Sequence, residues 1–99
     1  NWKRPKPEID FLMALLKEYL LAERRKILDQ NIRFVVIGRR EGLPDEVRAE
    51  IDENMRLTRA NTGLTLCLAI NYGSRAEIVD AVRAIADRVK RGELSPDDI

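Results

Sequence analysis

Two short apolar runs constrain what this chain can fold into more than any other feature of its sequence. They are IRFVVIG at 32–38 and LTLCLAI at 64–70. Nearly continuous apolar runs of this length are typical of strands that are buried on both faces of a parallel sheet. The residues between them, 43–61, carry a helical pattern with Pro44 near its start. The two strands are therefore predicted to run parallel in a right-handed βαβ unit.

Helical patterns also precede and follow this unit, so the predicted order of elements is α-β-α-β-α. The first helix is predicted over 7–30, with Pro7 at its first position and acidic residues in its first turn. Its apolar residues form two adjoining stripes, an arc wider than the roughly 100° that a surface helix needs. Part of this arc must be covered by something other than one face of the sheet.

The last predicted helix covers 74–92, where Ser74 and Glu77 match a capping box and apolar residues repeat on one face. Beyond it, Ser95 and Pro96 give the start signal of another helix. The chain begins without methionine and stops at this signal, and two strands alone rarely form a stable sheet. We therefore expect residues 1–99 to be an internal part of a single larger α/β domain, truncated at both ends.

Composition excludes several kinds of function. No apolar run approaches the about 18–20 residues of a membrane span, and the absence of histidine excludes imidazole as a base or metal ligand. The one cysteine, Cys67, is expected to be a small core residue in a reducing compartment. Residues 1–40 carry ten Lys and Arg against five Asp and Glu. This basic part indicates either an anionic partner or a solvated face.

Two stretches contain candidate binding residues. NYGSR at 71–75 follows the second strand, where a helix start beside Arg75 can hold an anion, although a simple capped turn has the same pattern. NWKRPKPE at 1–8 contains Arg4, a residue type that binds phosphate in a bidentate manner, with Glu8 one helical turn later. The alternative for this stretch is a proline-stiffened lead-in to the helix. The residues alone leave these alternatives open.

Four segments together resemble the cis-prenyltransferase family: NWKRPKPEIDFLM, IRFVVIG, NTGLTLCLAINYGSRAEIVDAV and LSPDDI. The resemblance extends over essentially all 99 residues. It implies a parallel sheet wrapped by helices, with an apolar tunnel between helix 7–30 and the sheet. The implied reaction adds isopentenyl diphosphate in Z configuration to an allylic diphosphate such as farnesyl diphosphate, with Mg²⁺. The product is a polyprenyl diphosphate, the lipid carrier for cell-wall synthesis.

The resemblance also assigns roles to single residues. Asn1 corresponds to an asparagine implicated in the condensation step, and substrate binding is expected of Trp2, Arg4 and Glu8. The expected tunnel residues are Leu12, Leu15, Leu16, Ile37 and Leu64. Tyr72 and Arg75 match a second signature, in which a structural role in the turn is as well supported as substrate contact. A cytoplasmic homodimer is implied that delivers its product to the inner face of the membrane, with no nucleic-acid partner.

The sequence departs from the family at two positions, with Arg39 in place of a common aspartate and Cys67 in place of a common asparagine. The family's Mg²⁺ ligand precedes the matched segments, and its diphosphate-binding arginines lie before and after them. No metal ligand is therefore expected in this chain, and the 99 residues alone are predicted to be inactive. The alternatives are a non-catalytic subunit of the same family and an unrelated phosphate-binding α/β module.

Overall fold

The computed structural model describes residues 4–99, and its elements follow the predicted order with one exception. The helix predicted over 7–30 is two helices, the first of which begins one residue earlier than expected. The elements are α1 (Lys6–Ala22), α2 (Arg24–Asp29), β1 (Arg33–Ile37), α3 (Asp45–Thr58), β2 (Thr65–Ala69) and α4 (Ser74–Lys90), followed by a 3-10 turn at Pro96–Asp98.

The two strands lie side by side and parallel, and Phe34 of β1 is paired with Leu66 of β2. α3 connects them and packs on β1, which confirms the βαβ unit. The prediction that the strands are buried on both faces is wrong for residues 4–99. Phe34 is buried on the face that α2 and α3 cover, whereas Ile37 is 40% exposed and Cys67 is exposed rather than in the core.

The hydrophobic core lies on the covered face of the sheet and draws one or two side chains from each of several elements. Burying a side chain of this size contributes about 1.5–3 kcal/mol. Val47 and Ile51 of α3 are buried and Met55 packs against them, so the predicted inner face of this helix is confirmed. The core consists of Leu20, Ile27, Phe34, Leu43, Val47 and Ile51.

The break between α1 and α2 falls at Glu23, where the sequence contains neither glycine nor proline. In an uninterrupted helix the Leu20 carbonyl would accept a hydrogen bond from the Arg24 N–H. Here it accepts one from Asn54 Nδ2 at 3.0 Å, and Asn54 is buried in α3. A side chain that enters the hydrogen-bond ladder of a helix is a recognised cause of kinks. The break is therefore explained by Asn54, which lies 34 positions after Leu20 in the sequence.

α4 begins at Ser74 as predicted and ends two residues earlier than predicted, but its capping differs. Gly73 flanks the helix, Ser74 is its first residue, and no side chain caps it, so the capping box is wrong. Ile78 and Val82, on the apolar face of this helix, are 63% and 59% exposed. Ser95 does cap the final turn, since its hydroxyl accepts from the Asp97 N–H.

Gly38 occupies the point where the chain leaves β1 close to the end of β2. Its φ is +116°, and a Cβ at this position would lie 1.9 Å from the Ile70 carbonyl oxygen. Both the backbone conformation and the close approach exclude a side chain. This glycine therefore allows the carboxyl ends of the two strands to approach each other closely.

We expect Gly38→Ala to lower the free energy of unfolding by about 3 kcal/mol or more, because it adds a steric clash to backbone strain. Gly92→Ala is the matched control, since Gly92 has φ +77° but nothing within 4 Å of the added Cβ. The control should lose only about 1–2 kcal/mol. Urea denaturation followed by circular dichroism measures both variants. Equal losses would contradict the role of the Ile70 contact.

Candidate functional site

A groove of about 260 Å³ lies where the N-terminal part of α1 passes the carboxyl end of β2. Ligands of parallel sheets bind at this edge, because loops and helix ends converge there. The walls of the groove are mainly apolar, with one guanidinium and one carboxamide among them. The lining residues are Arg4, Ile9, Leu12, Met13, Ala69, Ile70 and Asn71. This combination suits a ligand with an anionic head and an apolar tail.

Arg4 is placed by the start of α1. The Pro5 carbonyl accepts from the N–H groups of Glu8 and Ile9, which fixes the first turn behind Arg4. The Arg4 guanidinium forms an ion pair with Glu8, and the two side chains are 55% and 44% exposed. Exposed pairs of this kind contribute about 0–1 kcal/mol to stability. The guanidinium can therefore exchange Glu8 for a phosphate oxygen at little cost.

Asn71 fixes the opposite side of the groove. Its φ of +52° lies in the left-handed region, which asparagine tolerates better than most residues. Its Nδ2 donates to the carbonyls of Arg39 at 3.2 Å and Glu41 at 3.3 Å. The loop after β1 and the end of β2 are thus tied together into one rigid edge.

Two of the residues that were predicted to bind substrate or line the tunnel line the groove, and a third contacts one of them. Arg4 and Leu12 line it, and Glu8 contacts Arg4. Asn1 and Trp2 lie outside the described residues. The groove also has lining residues that the sequence analysis did not assign: Ile9, Met13, Ala69, Ile70 and Asn71. The position of Asn71 directly after a strand was the signal that could have identified it.

The other predicted site residues lie outside this groove. Leu16 packs against the core, whereas Leu15 and Leu64 are 50% and 73% exposed. Tyr72 is 45% exposed, and Arg75 is exposed in the first turn of α4. Their roles, and that of Ile37, stay predictions.

A second, wider cleft separates the loop after β1 from α4. Across it Arg39 and Asp80 form a bidentate ion pair, with Nε–Oδ2 at 2.8 Å and Nη2–Oδ1 at 2.9 Å. The hydrogen bond to Asp80 raises the pKa of Arg39, and the hydrogen bond from Arg39 lowers the pKa of Asp80. Arg39, where the resemblance led us to expect an aspartate, is thus paired with a carboxylate on the neighbouring helix.

We expect the Asp80 carboxyl to titrate below its ordinary pKa of 3.8. Because the folded-state pKa is lowered, the stabilisation from this pair is present above that ordinary value and is lost as the pH falls through the folded value. Arg39→Gln should return the pKa of Asp80 towards 3.8, as measured by carboxyl ¹³C NMR. Glu53, whose pKa is lowered by Arg56, is the internal control. A pKa of Asp80 that does not change in the variant would contradict this account.

In residues 4–99 no three His, Cys, Asp or Glu side chains come together in a way that could hold a metal ion. None of the helices described is long and apolar enough to cross a bilayer.

Comparison with protein families gives one match that covers residues 1–99, to a family of prenyltransferases described as "Putative undecaprenyl diphosphate synthase". An isoprenyl transferase of Rhodopirellula baltica is 50% identical over the whole of this chain, which covers 41% of that relative. A ditrans,polycis-undecaprenyl-diphosphate synthase of Micrococcus luteus, specific for (2E,6E)-farnesyl diphosphate, is 42% identical, with 40% covered. The chain therefore spans about two fifths of the length of these curated relatives.

The fold also matches solved structures of related enzymes. A crystal structure of lavandulyl diphosphate synthase from Lavandula x intermedia, in complex with dimethylallyl diphosphate, superposes with a TM-score of 0.92 and 39% identity. The match covers 100% of this chain and 43% of that protein.

Proposed function

The chain belongs to the undecaprenyl diphosphate synthase family of prenyltransferases, and from that premise we propose that it supplies part of an enzyme that elongates an allylic diphosphate. The added unit is isopentenyl diphosphate, joined in Z configuration, and the first acceptor is farnesyl diphosphate. The product is polyprenyl (undecaprenyl) diphosphate. The name of the Micrococcus luteus relative, which specifies farnesyl diphosphate, supports this choice of acceptor.

The observation that carries the proposal is the groove between α1 and β2, which combines a guanidinium with apolar walls. In the condensation, the carbon–oxygen bond of the allylic diphosphate breaks and diphosphate leaves. The double bond of isopentenyl diphosphate forms the new carbon–carbon bond, and a proton is then lost from that unit as a new double bond forms. Arg4 would stabilise charge on a diphosphate as it exchanges Glu8 for phosphate oxygens. The apolar walls would keep water from the electron-deficient allylic carbon.

The growing hydrocarbon chain is proposed to extend from Leu12 along the remaining predicted tunnel residues. Leu15 and Leu16 follow on α1, Ile37 is the last residue of β1, and Leu64 directly precedes β2. Leu64 precedes β2 and Ile70 follows it, so that about 20 Å of strand separates them. A path of this length suits an extended prenyl chain.

Mg²⁺ belongs to the proposal as an ion that residues outside this chain would bind. Residues 4–99 do not fit it, since they lack a suitable cluster of ligands, and we assign no step of this chain to the metal. The homodimer, the cytoplasmic location and the delivery of product to the membrane for cell-wall synthesis are further proposals. They follow from the family alone.

We further propose that residues 1–99 are an internal part of one larger domain. Apolar side chains of α4 and of the open sheet face support this, since Ile78, Val82 and Ile37 are at least 40% exposed. Relatives about two and a half times as long contain further segments that would cover such surfaces. The chain alone should therefore bind hydrophobic dyes and lack activity.

A chimera tests the function directly. In it, this chain replaces the segment that it matches in the Micrococcus luteus synthase. With Mg²⁺, farnesyl diphosphate and labelled isopentenyl diphosphate, we expect elongated lipid from the chimera and none from the 99 residues alone. A chimera that melts cooperatively but makes no product would contradict the proposal and favour a non-catalytic subunit.

The same assay tests a second acceptor. The lavandulyl diphosphate synthase that this chain resembles was crystallised with dimethylallyl diphosphate, a shorter allylic diphosphate. Elongation of that acceptor in preference to farnesyl diphosphate would indicate an enzyme of short products.

In the chimera we expect Arg4→Ala to reduce kcat/KM by about 100-fold, the usual effect of removing one donor that stabilises developing charge. Lys6→Ala is the matched control, because Lys6 also forms an exposed ion pair four residues along α1, with Asp10, but does not line the groove. The control should change kcat/KM by less than about threefold. Steady-state kinetics measures both, and equal effects would exclude a specific role of Arg4.

A further inference from the structure

We infer that Asn54 is a positioning residue, which sets the direction of α1 and thereby decides which allylic diphosphates the groove accepts. The inference rests on the proposed function of the groove. Asn54 lies in α3, outside the groove, and acts through the break that it creates between α1 and α2.

The contacts of Asn54 join both sides of the break to α3. Its Nδ2 donates to the last-turn carbonyl of Leu20 at 3.0 Å, and its Oδ1 accepts from Arg24 Nε at 2.5 Å. Arg24 also donates through Nη2 to Glu50 Oε1 at 2.6 Å. Asn54 is 1% exposed, and its carboxamide therefore depends on these partners.

The same network continues to the sheet. The Thr58 hydroxyl donates to the backbone carbonyl of Asn54 at 2.8 Å and accepts from the Phe34 N–H of β1 at 2.9 Å. No buried side-chain nitrogen or oxygen in residues 4–99 lacks a partner. Hydrogen bonds through Asn54 and Thr58 thus connect the end of α1 to β1. β1 in turn pairs with β2, the strand whose end lines the groove.

Straightening the helix would pair the Leu20 carbonyl with the Arg24 N–H, and would leave the Asn54 amide buried without its acceptor. A buried donor without a partner is costly, so Asn54 holds the bend as long as it is present. Without Asn54, the continuous helix becomes the better-satisfied state. A single side chain therefore selects between two directions of α1.

A change at the break is amplified at the groove. Ile9 lies 14 residues before Glu23, about 21 Å along the helix axis. A change of about 20° in the bend would move Ile9 by about 7 Å if α1 moved as a rigid rod. A further polar contact between α1 and α3, Lys17–Glu46 at 2.9 Å, is largely exposed and constrains the helix weakly. Met13 and Leu16 pack against the core and make the movement smaller than that of a free rod.

The opposite wall of the groove cannot follow this movement. Ala69 belongs to β2, and Ile70 donates to the Ile37 carbonyl at 3.0 Å. Asn71 is tied to the loop after β1. The direction of α1 therefore sets the width of the groove, and width discriminates between short and long apolar tails.

The experiment uses the chimera with Asn54→Ala, Asn54→Asp and Asn61→Ala. Aspartate can accept from Arg24 but cannot donate to Leu20 when ionised. Asn61→Ala is the matched control, since its Nδ2 also donates to a backbone carbonyl, that of Ile32 at 2.8 Å, away from α1. Spin labels at Lys6→Cys and Arg56→Cys, with Cys67→Ser and without host cysteines, report the distance between α1 and α3.

We expect both Asn54 variants to shift the label distance by about 3 Å or more, and Asn61→Ala to leave it unchanged. The ratio of KM values for dimethylallyl and farnesyl diphosphates should change about tenfold, with kcat within about threefold. A purely structural role would lower the active fraction and leave that ratio unchanged. Thermal melting shows which variants fold. If Asn54→Ala does not fold, Asn54→Asp provides the test in its place.

An unchanged distance in the Asn54 variants would overturn the inference. A shifted distance with an unchanged KM ratio would also overturn it, because groove width would then not control the choice of acceptor. A chimera that is inactive with every acceptor would count against the proposed function, and the distance alone would then decide whether Asn54 directs α1.

Discussion

β1 and β2 pair in parallel, and the strand edge that α1 passes, together with the loop that closes it, depends on this pairing. Parallel strands bring their carboxyl ends to one edge, so that the loop after β1 and the residues after β2 become neighbours. Gly38 permits the close approach, and Asn71 secures it with hydrogen bonds to two carbonyls of the loop. One wall of the groove is thus built from backbone that is fixed on both sides.

The other wall has a different origin. α1 lies outside the βαβ unit, and its direction depends on core packing and on the Asn54 contacts at its end. Met13 and Leu20 attach the helix to the core, while Leu12 faces the groove. One wall is thus built from paired strands, and we infer that Asn54 sets the tilt of the other and with it the width of the groove.

Local patterns in the sequence predict the elements that depend on local causes. The two apolar runs predict both strands, and the periodicity of 43–61 predicts α3 and its inner face. The break at Glu23 was not predictable in this way, because its cause lies 34 residues from Leu20. The exposure of Cys67 was missed for a related reason, since an apolar run does not reveal which sheet face the helices of residues 4–99 cover. For Arg4 and Glu8, residue type and spacing left two alternatives open, and their assignment to substrate binding came from the resemblance to the family and stays a prediction.

Two guanidinium–carboxylate pairs differ in burial, and burial decides whether the arginine can give up its carboxylate for another anion or stays bound to it. Arg4 and Glu8 are 55% and 44% exposed, so water screens the pair and a phosphate can replace the carboxylate at small cost. Arg24 and Glu50 are about half as exposed, at 25% and 24%, and Arg24 also donates to the buried Asn54. Breaking this second pair would leave two partly desolvated charges without their partners, which costs more than breaking an exposed pair. The same type of pair is therefore exposed and exchangeable before α1, and partly buried and anchored to α3 after it.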